Sequence, residues 1–124
     1  MIHEDRILLV EDDYISNLEL HEFMRDAGFC VEAVYSGATA LAAIRRDPPY
    51  GVVTDLDLGP GPNGFEVARF ARAARPDVTV VYISGHDAGR HLTEGAIRSE
   101  FVAKPFLGQE VVDALRRATT PLAA

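Results

Sequence analysis

Short apolar runs alternate along this chain with stretches whose apolar residues recur every three or four positions. RILLV (6–10), FCVEAV (29–34), GVVT (51–54), VTVVYI (78–83) and FVA (101–103) predict five strands. Several are unbroken Val, Ile and Leu runs, the pattern of parallel strands covered on both faces. The stretches between them predict helices. Leu20, Phe23, Met24 and Ala27 follow the i, i+3, i+4, i+7 spacing, and Gly28 suits the position just past a helix end. Ser36 predicts the cap of a second helix carrying Leu41 and Ile44, stopped by Pro48 and Pro49. Asn63 and Glu66 predict a capping box for a third, with Val67, Phe70, Ala71 and Ala74 facing inward. A fourth, 87–99, is weak because Gly89 and Gly95 interrupt it. A fifth runs from about 107 to 118 and turns Val111 and Leu115 to the core.

Five strand-then-helix units predict an α/β fold: a doubly wound, five-stranded parallel sheet with five helices over its two faces. Such sheets carry their sites at the carboxyl ends of the strands, near the switch in strand order. A length of 124 residues suits one domain, expected over 1–120 with 121–124 as a short tail. A hydrophobic fraction of 48% with 25% charged residues is that of a soluble globular protein. No apolar segment has the length of a membrane span, and the polar start is unlike a signal peptide. The net charge of -7 argues against binding to a nucleic-acid backbone. The lone Cys30 has no disulfide partner in the chain, which fits a cytoplasmic protein, and it is expected as a small buried hydrophobe. His3, His21, His86 and His91 lack metal-ligand spacing and are expected in surface or structural roles.

Chemistry gathers where the predicted strands end. The first runs into Glu11, Asp12 and Asp13; the third ends in Asp55, followed by Asp57; the fourth ends in Ser84; the fifth ends in Lys104. Lys104 is the one lysine in a chain whose other cations are arginines. Surface loops often carry acids, so each strand end alone decides nothing. Four on one sheet edge form a pattern. Acids from two strands repel unless neutralised, and an oxygen-only cluster suits a hard divalent cation, foremost Mg²⁺. With an ammonium and a hydroxyl beside it, such a cluster is equipped for phosphoryl transfer to a carboxylate. No P-loop pattern accompanies it, which argues against a bound nucleotide.

The segments ILLVED, VVTD, VVYISG and FVAKPF, in this order and at these separations, make the chain resemble the receiver domain of two-component response regulators over nearly its whole length. The resemblance implies the flavodoxin-like strand order 2-1-3-4-5. It implies that Asp55 accepts a phosphoryl group from a sensor histidine kinase or a histidine phosphotransfer protein. Asp12, Asp55 and the backbone carbonyl of Asp57 would ligate Mg²⁺, and Glu11 would act through a metal-bound water. Ser84 and Lys104 would bind phosphoryl oxygens, and the Lys104–Pro105 bond would be cis. Ser84 and Phe101 would form the switch, although Phe101 lacks the hydroxyl of a tyrosine switch. The loop LGPGPNG is about one residue longer than the usual family pattern, and the acid at Asp57 departs from the neutral group of many relatives.

The resemblance further implies a protein that is no enzyme beyond self-catalysed phosphoryl acceptance and autodephosphorylation. Its output would be phosphorylation-dependent docking to a downstream protein, as a monomer or weak dimer, without direct nucleic-acid contact. An excised part of a longer regulator is the alternative to a free-standing one. Two rival functions remain open here. Asp55-Leu-Asp57 has the two-aspartate spacing of haloacid-dehalogenase-like phosphatases, though that family's motif lies near the amino terminus and continues with Gly-Thr. The other rival is a receiver-like binding module that is never phosphorylated.

Overall fold

The computed structural model describes residues 6–85 and 94–119. Among them run β1 (Arg6–Val10), α1 (Tyr14–Asp26), β2 (Cys30–Val34), α2 (Gly37–Arg46), β3 (Gly51–Asp55), α3 (Gly64–Ala74), β4 (Thr79–Ser84), β5 (Glu100–Ala103) and α4 (Gly108–Thr119). The strands pair in parallel in the order β2-β1-β3-β4-β5, as expected. Every residue of β1, β3 and β4 is buried. Alternation then sorts their side chains between two core layers. Leu8, Val10, Val52, Val80 and Tyr82 pack under α2 and α3; Ile7, Leu9, Val53, Val81 and Ile83 pack under α1 and α4. Continuous apolar runs are therefore required at the centre of the sheet.

The predicted caps form. Ser36 accepts from the Thr39 N–H at 3.1 Å, and Asn63 accepts from the Glu66 N–H at 3.0 Å, each within a reciprocal capping box. Gly28 follows α1 with φ of 101°, a left-handed conformation that costs glycine least. Three expectations need correction. Cys30 is half-buried, because β2 is a sheet edge and all five of its residues keep some exposure. Phe23 is 40% exposed; its ring leans over the start of α4, filling the space a side chain at Gly108 would need. Ala74 is exposed at the end of α3, whose inner face is instead Phe65, Val67, Ala68 and Ala71. The fourth predicted helix falls mostly outside the described residues; its end, 95–99, is bend and turn, with Arg98 at φ 59°.

The crossover from β3 to α3 brings two stretches of backbone unusually close. A Cβ on Gly64 would run into the carbonyl oxygen of Asp55 and lie 2.9 Å from the Leu56 Cα. The Gly64 N–H donates to the Leu56 carbonyl at 3.0 Å across this contact. Both obstacles are backbone and cannot swing aside. Gly64→Ala should therefore lower stability by roughly 1–3 kcal/mol, read as a lower urea midpoint at unchanged slope. Gly85→Ala, where nothing lies within 4 Å, is the comparison and should cost less.

Candidate phosphoryl-acceptor site

The chain leaves β1 toward β2 on one side and returns to β3 on the other, so the carboxyl ends of β1 and β3 flank the switch in strand order. Glu11 follows β1 and Asp55 closes β3. Both are buried, Glu11 at 1% and Asp55 at 6% exposure, while Asp12 is exposed at the mouth. Carboxylate oxygens of Glu11, Asp12 and Asp55 lie within 4.8 Å of one another. From β5, Lys104 Nζ donates to Asp55 Oδ2 at 2.7 Å and to Glu11 Oε1 at 3.0 Å. The other Asp55 oxygen, Oδ1, accepts from the Asp57 N–H at 3.1 Å.

Asp13, the third acid of the run, stands apart. It caps α1, accepting from the Ser16 N–H at 2.9 Å and the Ser16 hydroxyl at 2.7 Å. The Ser16 hydroxyl and then its N–H hold the Asp13 carboxyl below its usual pKa. Asp57 is exposed and its carboxylate lies outside the three-acid cluster; it meets the site through its backbone N–H. Ser84 is buried at the carboxyl end of β4, one step beyond the residue paired with Asp55. Phe101 lies beside Tyr82 in register and packs half-buried against the core beneath α2 and α3. The Lys104–Pro105 bond is cis. His86, His3 and His91 lie outside the described residues.

Sequence reasoning passed over Asn17. Its amide is buried on the inner face of α1 and donates to the carbonyls of Glu11 and Val34, both at 3.0 Å. One side chain thus fixes the turn after β1 against the end of β2. The signal was present: Asn17 precedes Leu20 by three and Met24 by seven, a polar residue inside the apolar stripe.

Three carboxylates against one ammonium leave the cluster two charges short of neutral. Burial accordingly pushes Glu11 from 4.5 up to about 7; the Lys104 hydrogen bond opposes this, and Asp55 adds to it. Burial works against the charge on Lys104 too, but its bonds to Asp55 and Glu11 outweigh that and raise its pKa. Glu11 Oε2 is buried without a hydrogen-bond partner. An all-oxygen donor set, a double negative excess and an orphaned buried oxygen fit a hard divalent cation.

The family model described as the response regulator receiver domain matches residues 7–116. The chain belongs to the response regulator receiver family. It is 30% identical over 116 residues to the C4-dicarboxylate transport transcriptional regulatory protein DctD of Rhizobium meliloti, covering 90% of this chain and 25% of that protein. It is 31% identical over 121 residues to the response regulator MprA of Mycolicibacterium vanbaalenii, covering 94% of this chain and 52% of that protein. The receiver thus spans a quarter to about half the length of these relatives. Among solved structures, a response regulator receiver protein from Sinorhizobium medicae superposes with a TM-score of 0.89 at 37% identity, covering 92% of this chain and 93% of that one. The receiver domain of a sensor histidine kinase from Pseudomonas aeruginosa, solved with a magnesium ion in its active site cleft, shares the fold at a TM-score of 0.80 and 23% identity, covering 94% and 98%.

The Glu11 shift sets a pH dependence for this receiver. Its folded pKa lies above 4.5, so its contribution to stability is full below 4.5 and is lost as pH rises through about 7. In chelator, Glu11→Gln should remove that decline and stabilise the protein at neutral pH by on the order of 1–3 kcal/mol. Urea unfolding of both proteins across this range checks it; parallel curves would show that Glu11 does not titrate there.

Proposed function

We propose that Asp55 is the phosphoryl acceptor of this receiver, with a phosphohistidine of a sensor histidine kinase or of a histidine phosphotransfer protein as donor. The observation that carries the reading is the Lys104 ammonium bridging Asp55 and Glu11 at the switch in strand order. An Asp55 oxygen forms the new O–P bond while the P–N bond to the donor imidazole breaks, and the electron pair returns to the imidazole nitrogen. The Asp57 N–H orients the carboxylate during attack, since it already holds Oδ1. Lys104, bonded to Oδ2, is placed to give its ammonium to an oxygen of the arriving group. Ser84 supplies a hydroxyl from the neighbouring strand end.

Glu11, Asp12 and Asp55 would hold Mg²⁺, with the Asp57 carbonyl as the expected further ligand. When bound, that ion supplies the positive charge that lets two anions approach each other. Aspartyl phosphate then turns over by autodephosphorylation. Output is docking to a downstream protein, with Ser84 and Phe101 as the switch pair; Phe101 sits beside Tyr82, so a change at β4 reaches it across one strand spacing. The exposed Asp57 carboxylate gives no support to a two-aspartate phosphatase. No described helix is long and apolar enough to cross a membrane.

Incubation with acetyl phosphate and Mg²⁺ should label wild-type protein at one site and leave Asp55→Asn unlabelled, as read by intact mass. Single-site labelling retained in Asp55→Asn refutes the assignment. Lys104→Met should still fold and should slow labelling by roughly 10²–10³-fold, whereas an unchanged rate would place Lys104 outside the transfer step.

A further inference from the structure

A second polar cleft, of about 500 Å³, lies at the opposite end of the sheet from the acidic cluster. Tyr50, Arg72, Val78, Arg98, Glu100 and Arg117 are among its lining residues. They come from the starts of β4 and β5, the end of α3, the end of α4 and the approaches to β3 and β5. In a chain of net charge -7, a cleft with three guanidinium groups runs against the overall balance.

The acids of this cleft are already matched. Glu100 is held by Arg117, whose Nε and Nη2 both reach Oε1 at 3.0 Å. Asp77 pairs with Arg75 at 3.5 Å. Arg72 and Arg98, among the described residues, have no carboxylate. Arg72 is fixed by two carbonyls: its Nε donates to Val78 at 2.8 Å and its Nη1 to Ile97 at 2.6 Å. Those bonds occupy two of five donors and leave the rest of the fork free. Burial and then the charge of Arg98 lower the Arg72 pKa, so the two cations feel each other.

Arg72 and Arg117 lie in the last turns of α3 and α4, where the helix dipole favours cations. That explanation does not reach Arg98. It stands on no helix, is exposed, and has a left-handed backbone at φ 59°, which is uncommon for a residue with a side chain. An anion held between the two forks would relieve their repulsion, and paired planar forks match phosphate oxygens. The volume exceeds what one phosphate fills, and the half-buried Tyr50 adds an aromatic residue to the lining.

We propose that this cleft binds an organic phosphate through Arg72 and Arg98, independently of the phosphoryl acceptor site. The test is amide chemical-shift titration of the full chain with ADP, and separately with sodium pyrophosphate, in chelator at fixed ionic strength. Saturable shifts are expected at Val78, Thr79 and Ile97 to Glu100, with Asp55 and Lys104 little moved. Comparable affinity for both probes assigns recognition to the phosphates they share; tighter ADP binding adds the aromatic Tyr50. Arg98→Gln, which removes no described contact, should weaken binding about tenfold or more. Arg72→Lys keeps the charge without the fork and should also bind more weakly, with some loss of thermal midpoint because its bonds to two carbonyls are disturbed. Shifts that never saturate and fade with salt would mean an adventitious ion only and overturn the proposal. So would saturable binding that Arg98→Gln leaves intact.

Discussion

The architecture around the acidic cluster answers one electrostatic demand: carboxylates from two strands must sit side by side, largely out of water, with a single ammonium between them. Coulomb repulsion at such separations is severe where water is excluded. Lys104 offsets part of it through bonds of 2.7 Å to Asp55 and 3.0 Å to Glu11. The remainder appears as the raised pKa of Glu11 and the unpartnered Glu11 Oε2. The site is built short of positive charge, and that deficit makes a divalent ion and a phosphoryl group compatible guests.

The supporting structure keeps the deficit in place. Asn17 ties the turn after β1 to the end of β2, which fixes the backbone from which the Glu11 side chain projects. The absence of a side chain at Gly64 lets α3 begin directly against the Asp55 backbone. Asp13 is diverted to capping the start of α1, which removes a fourth carboxylate from the cluster. Each contact is local and modest. Together they hold like charges at the ends of adjacent strands of a sheet whose central strands have no exposed residue.

Much of this was legible in the sequence because the signals were local. Continuous Val, Ile and Leu runs marked β1, β3 and β4, and the Ser36 and Asn63 caps fixed where α2 and α3 begin. The meeting of Glu11, Asp55 and Lys104 was readable because strand ends in a doubly wound sheet share one edge, and it needed no long-range information beyond the strand order. What stayed hidden depended on three-dimensional neighbours. Phe23 fits the helical period, yet it leans on α4 because Gly108 leaves room there. Cys30 looks like core until β2 proves to be an edge. The cleft that Arg72 and Arg98 both line joins residues on either side of β4 in the chain, and no periodicity announces it.

The placement of Lys104 has a chemical consequence. With every other basic side chain an arginine or histidine, amine-directed reagents meet one ε-amino group in this chain, besides any free α-amino terminus, and it is bonded to Asp55. Acetylation or an N-hydroxysuccinimide dye would neutralise the one ammonium facing the carboxylates. Fluorescent tagging, surface coupling and lysine cross-linking therefore find no ε-amino group away from the acidic cluster, and thiol coupling through the half-exposed Cys30 at the far edge of the sheet is the gentler route.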